Sequence, residues 1–244
     1  MTTFETVLLM GSAAVAGAVN TLAGGGSLLT VPILIFVGLP ATVANGTNRL
    51  GVLVQGAVSA GELSRAGAID WRESLRLLPP LVLGGAAGAI GVSQLADATF
   101  ERAFALVMLV LLAPTLRPPS PHRARQPLSK RATWAWLLLV GAYGGAFQAG
   151  IGIILMLVLA RCGYDLMRAN GIKIAVVFLQ TIFTLPVFVM AGQIAWMPGL
   201  LMALGFAAGG AIGARAAMAG GERIVRPVLA VSVAAMAGRL LGLY

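Results

Sequence analysis

The sequence predicts an all-α polytopic membrane protein, built from two inverted-topology repeats of about five helical segments each, with short or broken helices at glycine-rich breaks. Composition, an internal repeat and the placement of basic residues predict this fold class. Of the 244 residues, 59% are hydrophobic and only 10% are charged, whereas soluble domains carry about 25% charged residues. Runs such as 77–96 and 200–219 match the length of about 20 apolar residues that crosses a bilayer.

The internal repeat becomes visible when the chain is shifted by 125 residues against itself. Several motifs then coincide: ANG 44–46 with ANG 169–171, Gln55 with Gln180, Trp71 with Trp196 and, with one further residue of shift, AGGGS 23–27 with AGIGI 149–153. Internal repeats of this length are common in secondary transporters. The sequence therefore predicts an N-terminal membrane repeat at 1–116, a basic connector at 117–131 and a C-terminal membrane repeat at 132–244.

Each half contains the same order of five apolar segments. The predicted segments are 7–23, 27–38, 43–61, 75–96 and 100–116 in the first half, and 132–149, 152–161, 167–191, 197–219 and 224–243 in the second. The second segment of each half is short: a helix of 12 residues rises about 18 Å, against a hydrocarbon core of about 30 Å. Whether 27–38 and 152–161 span or return to their starting side stays open. In either case, segments one and two together start and finish on one side, so each half crosses the membrane an odd number of times and the halves are inverted.

Basic residues indicate which loops share a side of the membrane. Placing the connector 117–131 in the cytoplasm also places 62–76, 161–168 and 214–226 inside, and these loops hold most of the 17 basic residues. Three loops are predicted outside: 38–42, 95–102 and 192–196. Together they contain one basic residue, Arg102. The excess of positive charge in cytoplasmic loops thus predicts an inverted repeat in a bacterial-type inner membrane with both termini outside.

A polar stripe runs along the third segment of each half at helical spacing. It consists of Asn45, Asn48, Arg49 and Gln55 in the first half, and of Asn170, Lys173 and Gln180 in the second. Such side chains face protein or water, because lipid leaves their hydrogen bonds unsatisfied. One interpretation is attachment between helices with snorkelling of the cations. The other is a substrate site between the halves at mid-membrane.

Glycine-rich breaks precede both short segments. Gly24, Gly25, Gly26 and Ser27 form the first, and Gly150 and Gly152 belong to the second. Glycine lets the backbone turn sharply and approach a ligand, and a helix beginning there directs free N–H groups and a positive dipole end into the gap. Small-residue pairs such as Gly84 and Gly88, in contrast, are typical of close helix packing.

Charge at the predicted centre favours an anion as substrate. Lys173, Arg49 and two helix N-termini are positive, whereas every carboxylate falls in a loop or at a segment end. The absence of a mid-membrane acid argues against the usual Asp/Glu proton relay. Sodium coupling through carbonyl, Asn or Thr47 oxygens stays open, as does uncoupled movement. The sequence predicts no metal site and no cofactor, since Cys162 and His122 stand alone.

The sequence resembles the TauE/SafE family of sulfite and organosulfonate exporters. The resemblance rests on "AGGGSLLTVPIL" (23–34), "GLPATVANGTNRL" (38–50), "GGAFQAGIGI" (144–153) and "ANGIK" (169–173). It implies an inner-membrane permease that exports small sulfur-containing oxyanions or short carboxylate or sulfonate anions. Two positions depart from the expected pattern: Ile151 replaces a glycine, and Lys173 stands where the first half has Asn48. Both bear on the choice of anion.

We therefore expect a transporter that works by alternating access, with a small anion and the bilayer as its partners. An anion channel and a permease for a non-sulfur carboxylate are the alternatives. A membrane enzyme would need a nucleophile with a base, a metal cluster or paired carboxylates, and a non-transporting assembly subunit would need a partner chain. Nucleic-acid binding is not expected despite the net charge of +9, because the positive charge lies in short connectors. The sequence does not determine the oligomeric state.

Overall fold

The protein is described by a computed structural model over residues 3–116 and 128–219. These residues form helices and no strand, which confirms the all-α fold class. The helices are α1 (Thr3–Ala23), α2 (Ser27–Phe36), α3 (Ala41–Arg65), α4 (Trp71–Ser93), α5 (Asp97–Leu116), α6 (Lys130–Ala146), α7 (Ile151–Arg161), α8 (Leu166–Met190) and α9 (Trp196–Met218). They correspond to the first nine predicted segments. The tenth, 224–243, most of the connector and both chain ends lie outside the described residues.

Several helices begin earlier than the apolar runs indicate, because polar caps start them. The side chains of Asp70, Ser129 and Asp165 each accept a hydrogen bond from the backbone N–H three residues on, at the starts of α4, α6 and α8. Such N-caps satisfy donors that the first turn leaves without a partner. Hydropathy does not register them, so the polar first turns were missing from the predicted ranges.

Four of the described helices are long and apolar enough to cross a membrane: the part of α1 from Glu5 to Ala23, α4, α8 and α9. The long helix α3 is more polar, yet its polar side chains are buried inside the bundle. This burial explains why it lacks a strongly apolar sequence: much of its surface contacts α8 and α9 rather than lipid. The chain is a multi-pass membrane protein, as predicted.

Contacts between loops divide the bundle into two faces. On the first, which we call the basic face, Arg215 pairs with Glu62, Arg168 pairs with Asp70, and the Leu128 N–H donates to the Arg161 carbonyl. On the second, the opposite face, Thr42 donates to Asp97, Gln193 donates to the Ser93 carbonyl, and the Ala195 N–H donates to Thr47. The described parts of the loops predicted inside therefore share one face, and the loops predicted outside share the other. That the basic face is cytoplasmic stays a prediction.

The short helices α2 and α7 return to the face from which their predecessors start. α1 packs parallel to α9 and α6 packs parallel to α4, since successive turns of each pair meet in the same order. α1 therefore starts at the opposite face, where α9 starts, and α2 leads back there through loop 37–40. In the same way, α6 and α7 both have their outer ends at the basic face. The result is two helical hairpins, α1–α2 and α6–α7, that enter the bundle from opposite faces.

The tips of the two hairpins meet inside the bundle. A Cβ atom built on Gly24, which has a φ of +81°, would lie only 2.5 Å from the Cα atom of Gly152. Around them α3 and α8 run antiparallel, because Gly46 lies near Phe188 and Gly56 near Phe178. An inverted repeat would produce this arrangement. The repeat itself and the domain boundaries drawn from it stay predictions.

Candidate functional site

The candidate site consists of the hairpin tips and the polar stripes of α3 and α8. All seven polar residues predicted for it are buried. Six of them hydrogen-bond to residues of the two hairpins. The seventh, Asn170, is 3% exposed, and its Oδ1 atom has no hydrogen-bond partner within residues 3–116 and 128–219. The stripes therefore do attach helices to one another, as the structural interpretation expected.

Asn48 holds the start of α2. Its amide nitrogen donates to the Ser27 hydroxyl at 2.9 Å, and its Oδ1 accepts from the Thr30 hydroxyl at 2.6 Å. The hydroxyl of Ser27, the last residue of the first glycine-rich break, is thus an acceptor for Asn48. Neither α2 nor α7 has a side-chain N-cap.

The side chain of Arg49, a residue of α3, contacts the C-terminal end of α6. Its two terminal nitrogens donate to the carbonyl oxygens of Gly144, Gly145 and Ala146 over 2.5–3.4 Å. Nη1 also donates to the Thr184 hydroxyl at 3.2 Å, and the guanidinium stacks 4.2 Å above the Phe188 ring. Asn45 donates to the Ala146 carbonyl at 2.8 Å. Both α3 residues thus bind the tip of the second hairpin.

The side chain of Lys173, a residue of α8, contacts the C-terminal end of α1. Its ammonium donates to the Thr21 carbonyl at 2.8 Å and lies 3.5 Å from the Asn20 carbonyl. The side chain is 2% exposed, and its Cδ atom lies within 3.2 Å of a Cβ built on Gly152. Lys173 therefore reaches the point where the hairpin tips meet.

Each buried cation thus binds the end of the first helix of the other half. Helix C-termini carry a partial negative charge, which a cation stabilises. The sequence argument counted the cations and the positive N-termini of α2 and α7, but it missed the negative ends of α1 and α6. The net positive charge of the centre is therefore smaller than predicted. Arg49 and Lys173 are also not equivalent in the repeat, since a shift of 125 pairs Lys173 with Asn48.

A third group of polar residues surrounds Gln55. Its amide nitrogen donates to the hydroxyls of Thr21 and Ser59 at 2.9 and 3.1 Å. Its oxygen accepts from the Asn20 amide at 2.6 Å. Ser59 in turn donates to the Gly210 carbonyl on α9. In the second half, Gln180 donates to the Gly141 carbonyl at 2.9 Å.

A small cavity lies beside the hairpin tips. Its volume is about 20 Å³, which is room for one water molecule but not for an oxyanion. Lys173, Gln55 and Asn20 supply its polar lining and Gly24 and Gly152 its backbone. Apolar side chains complete the wall: Val52, Ile151, Ile174, Val177 and Phe178. Within the part of the chain that the structure describes, Lys173 and Gln55 are the predicted stripe residues that line this cavity.

The remaining predicted residues lie around the cavity. Gly150 has a φ of +72° and begins α7 against Leu111, so it shapes the second tip. Gly25 and Gly26 lie in the turn that leads into α2, and Gly26 packs against Ala16 and Asn20. A side chain at Gly26 would collide with α1. These glycines therefore allow close packing at the hairpin tips, and their approach to a ligand stays a prediction.

Sequence reasoning missed several polar residues of the site. Asn20 and Thr21 precede the first glycine break, and Gln148, Thr181 and Thr184 surround the second. One signal was available: Ser59 and Thr184 coincide under the shift of 125 and extend each stripe by one turn. Asn45, Gln148 and Asn170 each bury an amide oxygen that has no hydrogen-bond partner in the described part of the chain.

Two hairpins that enter from opposite faces and meet beside a buried lysine define a class: helical membrane proteins with a central polar site between broken helices, an arrangement typical of secondary transporters. The family model described as "Sulfite exporter TauE/SafE" matches residues 9–240, and the chain belongs to this family. The predicted family is thereby confirmed.

Curated relatives agree with this assignment. The chain is 30% identical to "Probable membrane transporter protein ORF9" of a Sinorhizobium species, over 94% of the chain and 90% of the relative. It is 28% identical to a "Probable membrane transporter protein" of Haemophilus influenzae, over 93% and 91%. It is 27% identical to the "Probable membrane transporter protein YfcA" of Escherichia coli K12, over 94% and 87%. No solved structure matches the chain.

Proposed function

We propose that this protein exports small sulfur-containing anions, such as sulfite, sulfonates or related organic anions, across the inner membrane by alternating access. The proposal rests on one observation above all: the buried Lys173 ammonium lines the cavity at which the two hairpin tips meet. Family membership supports transport. The family description supports the choice of sulfur oxyanions.

Lys173 is suited to bind an anion because its positive charge lies at the cavity wall. Its ammonium donates to the Thr21 carbonyl at 2.8 Å and to the Asn20 carbonyl at 3.5 Å, and these bonds hold it in place. An oxyanion that enters the cavity would be attracted by the charge of the ammonium. Because apolar side chains form much of the wall, the attraction between the charges is stronger than in water. The glycine backbones of the tips let the anion approach closely.

The cavity in this structure has a volume of about 20 Å³, which is too small for an oxyanion, so transport requires the hairpin tips to separate. In the proposal, one half moves against the other and opens the site to one face at a time. Arg49, Asn45 and Gln180 hold the second hairpin in the closed arrangement, and Asn48 holds the first. A movement that exchanges the roles of the halves would bring these residues, together with Asn170, to the substrate.

The first experiment measures anion binding to the purified protein in detergent by thermal unfolding. Sulfite, sulfate, thiosulfate, sulfoacetate, taurine and acetate are compared at rising concentration. An anion at about 100 times its Kd adds about 2.7 kcal/mol to the folded state. We expect the sulfur oxyanions to stabilise the wild type and to have no such effect on Lys173→Met. Lys130→Met is the matched control, since Lys130 lies at the exposed start of α6.

Flux into proteoliposomes then separates a transporter from a channel. Saturable uptake of the anion that binds supports alternating access, whereas a conductance that rises linearly with voltage supports a channel. If only acetate stabilises the protein, the substrate is a carboxylate. The proposal is wrong if no anion stabilises the wild type, or if Lys173→Met responds as the wild type does.

A further inference from the structure

We infer that Asn20 is a substrate-contacting residue of this site, and that Gln55 is a positioning residue that orients it. This inference rests on the proposed function and deepens it. The stripe on α3 places Gln55 at the cavity, but both N–H donors of Gln55 already make hydrogen bonds within the protein. Asn20, at the end of α1, is hydrogen-bonded to Gln55.

Both side-chain N–H donors of Gln55 are used in hydrogen bonds within the protein. A side-chain amide has two N–H donors, and those of Gln55 go to the hydroxyls of Thr21 and Ser59. Thr21 and Ser59 are themselves held, since Thr21 donates to the Gly17 carbonyl and Ser59 to the Gly210 carbonyl. Gln55 could bind an anion only by breaking this network. Buried hydrogen bonds of this kind are costly to lose.

The side-chain amide of Asn20 has one N–H donor that is not used within the described residues. Among the described residues, its amide nitrogen makes one hydrogen bond, to the Gln55 oxygen at 2.6 Å. The second N–H therefore has no acceptor among the residues that the structure describes. Asn20 is only partly buried and lines the cavity. The bond to Gln55 fixes the plane of the amide, so the remaining N–H has a defined direction.

Asn20 and Lys173 lie at the same end of the cavity. The Lys173 ammonium is 3.5 Å from the backbone carbonyl of Asn20 and 2.8 Å from that of Thr21. An oxyanion beside Lys173 is thus within reach of the Asn20 amide. Hydrogen bonds to charged groups are stronger than neutral ones. The second half has no counterpart, since Ala146 stands at the position equivalent to Asn20. The anion site is therefore one-sided, on the α1 hairpin.

The test compares dissociation constants for sulfite and sulfoacetate, measured by calorimetric titration, with the unfolding temperature of each anion-free variant. We expect Asn20→Ala to weaken binding about tenfold, as the loss of one hydrogen bond to a charged group does. Asn20→Asp should weaken it further, because a carboxylate beside Lys173 competes with the anion. Gln94→Glu adds the same charge in an exposed loop and should bind within about twofold of the wild type. Should Asn20→Ala fail to fold, Asn20→Ser replaces it.

A double variant tests the role assigned to Gln55. Gln55→Met removes the acceptor that orients Asn20, and we expect weaker binding. In that background, Asn20→Ala should add less than about a twofold loss, because the two residues act as one unit. A merely structural Gln55 would lower the unfolding temperature and leave the losses additive.

Three results would overturn the inference. If the wild type binds an anion and the Asn20 variants bind it equally well, Asn20 is no ligand and the proposed function stands. If the losses are additive, the positioning role of Gln55 is wrong. If the wild type binds neither anion, the inference and the proposed substrate class fall together.

Discussion

The Arg49 guanidinium lies on a platform of carbonyl oxygens at the end of α6, whereas the Lys173 ammonium reaches the cavity wall. The chemistry of the two groups suits these places. A guanidinium is planar and presents several donors in a fixed fork, and it stacks on aromatic rings, here that of Phe188. An ammonium is a compact charge on a flexible stem. Arg49 therefore clamps the second hairpin, whereas Lys173 places its charge at the cavity wall.

Removing the clamp should destabilise the protein. Arg49→Met leaves the carbonyls of Gly144, Gly145 and Ala146 buried without that donor, and we expect a loss of about 3 kcal/mol in the free energy of unfolding. Arg49→Lys should restore part of it. Arg65→Met is the control, because the Arg65 side chain is 81% exposed, and should change stability by less than about 0.5 kcal/mol. Thermal unfolding in detergent measures all three. Equal stability of Arg49→Met and the wild type would contradict the clamp.

The helices α4 and α6 approach each other through glycine. Cβ atoms built on Gly84 and Gly88 would collide with the carbonyl oxygens of Leu138 and Ala142. The same holds for α1 and α9, where Gly209 faces the Ala14 carbonyl. These contacts bind each hairpin to a long helix of the other half, and they confirm that the small-residue pairs serve packing.

Alanine at two glycines of α4 should have opposite effects. Gly84→Ala forces α4 and α6 apart, and overpacking of this kind costs about 1–3 kcal/mol. Gly91→Ala lies on the same helix, and no described residue lies within 4 Å of the new methyl group. It should gain up to about 1 kcal/mol from helix propensity. The unfolding temperatures of the two variants decide this. A tolerated Gly84→Ala would show that the helices are not in close contact.

In the whole molecule, contacts between the two halves occur at both faces of the bundle, and the groups that make these contacts differ between the faces. The basic face uses charged groups: Arg168 pairs with Asp70 at 2.7 Å, and the Tyr164 hydroxyl donates to Glu73 at 2.5 Å. The opposite face uses neutral donors, such as the Ala195 N–H to Thr47. Alternating access would break one of these sets at a time.

The pH dependence of the basic face follows from Asp70. The Glu73 backbone N–H and then the Arg168 guanidinium hold the pKa of the Asp70 carboxyl below its usual range. Because the folded-state pKa is the lower one, the stability that Asp70 contributes is complete above the ordinary value of about 4 and is lost as pH falls through the folded value. Burial, followed by Glu73, raises the pKa of Tyr164, so its hydroxyl keeps its proton at neutral pH.

We therefore expect a constant difference in unfolding temperature between the wild type and Asp70→Asn from about pH 8 to about pH 6, and a shrinking difference below about pH 4. A difference that already changes above pH 6 would show that another group controls this face. Arg168→Gln should reproduce the behaviour of Asp70→Asn.

The orientation in the membrane can be tested with two introduced cysteines. In a Cys162→Ser background, Ala66→Cys lies in an exposed loop of the basic face and Gln94→Cys in an exposed loop of the opposite face. The excess of basic residues at the first face predicts that it is cytoplasmic. A membrane-impermeant maleimide added to intact cells should label Gln94→Cys and spare Ala66→Cys. The reverse pattern would invert the assignment.

Much of the fold could be predicted because its signals act over short stretches of chain. Apolar length located the helices, and loop charge separated the two faces. The polar side chains of α3 and α8 fell on one stripe through helical spacing alone. The caps Asp70, Ser129 and Asp165 shifted helix starts by a few residues, because hydropathy does not count a polar side chain that accepts a backbone hydrogen bond.

The sequence by itself determined the membrane class, the family, the order of helices and the existence of a buried polar centre. Only the tertiary structure decided how that centre is arranged. Lys173 binds a carbonyl 152 residues away, and Arg49 binds one 96 residues away. The Asn20 amide donates a hydrogen bond to Gln55, which lies on another helix. No local pattern encodes such contacts, because the partners are set by which hairpin packs against which long helix. The same packing brings Gly24 to Gly152 at the centre of the site.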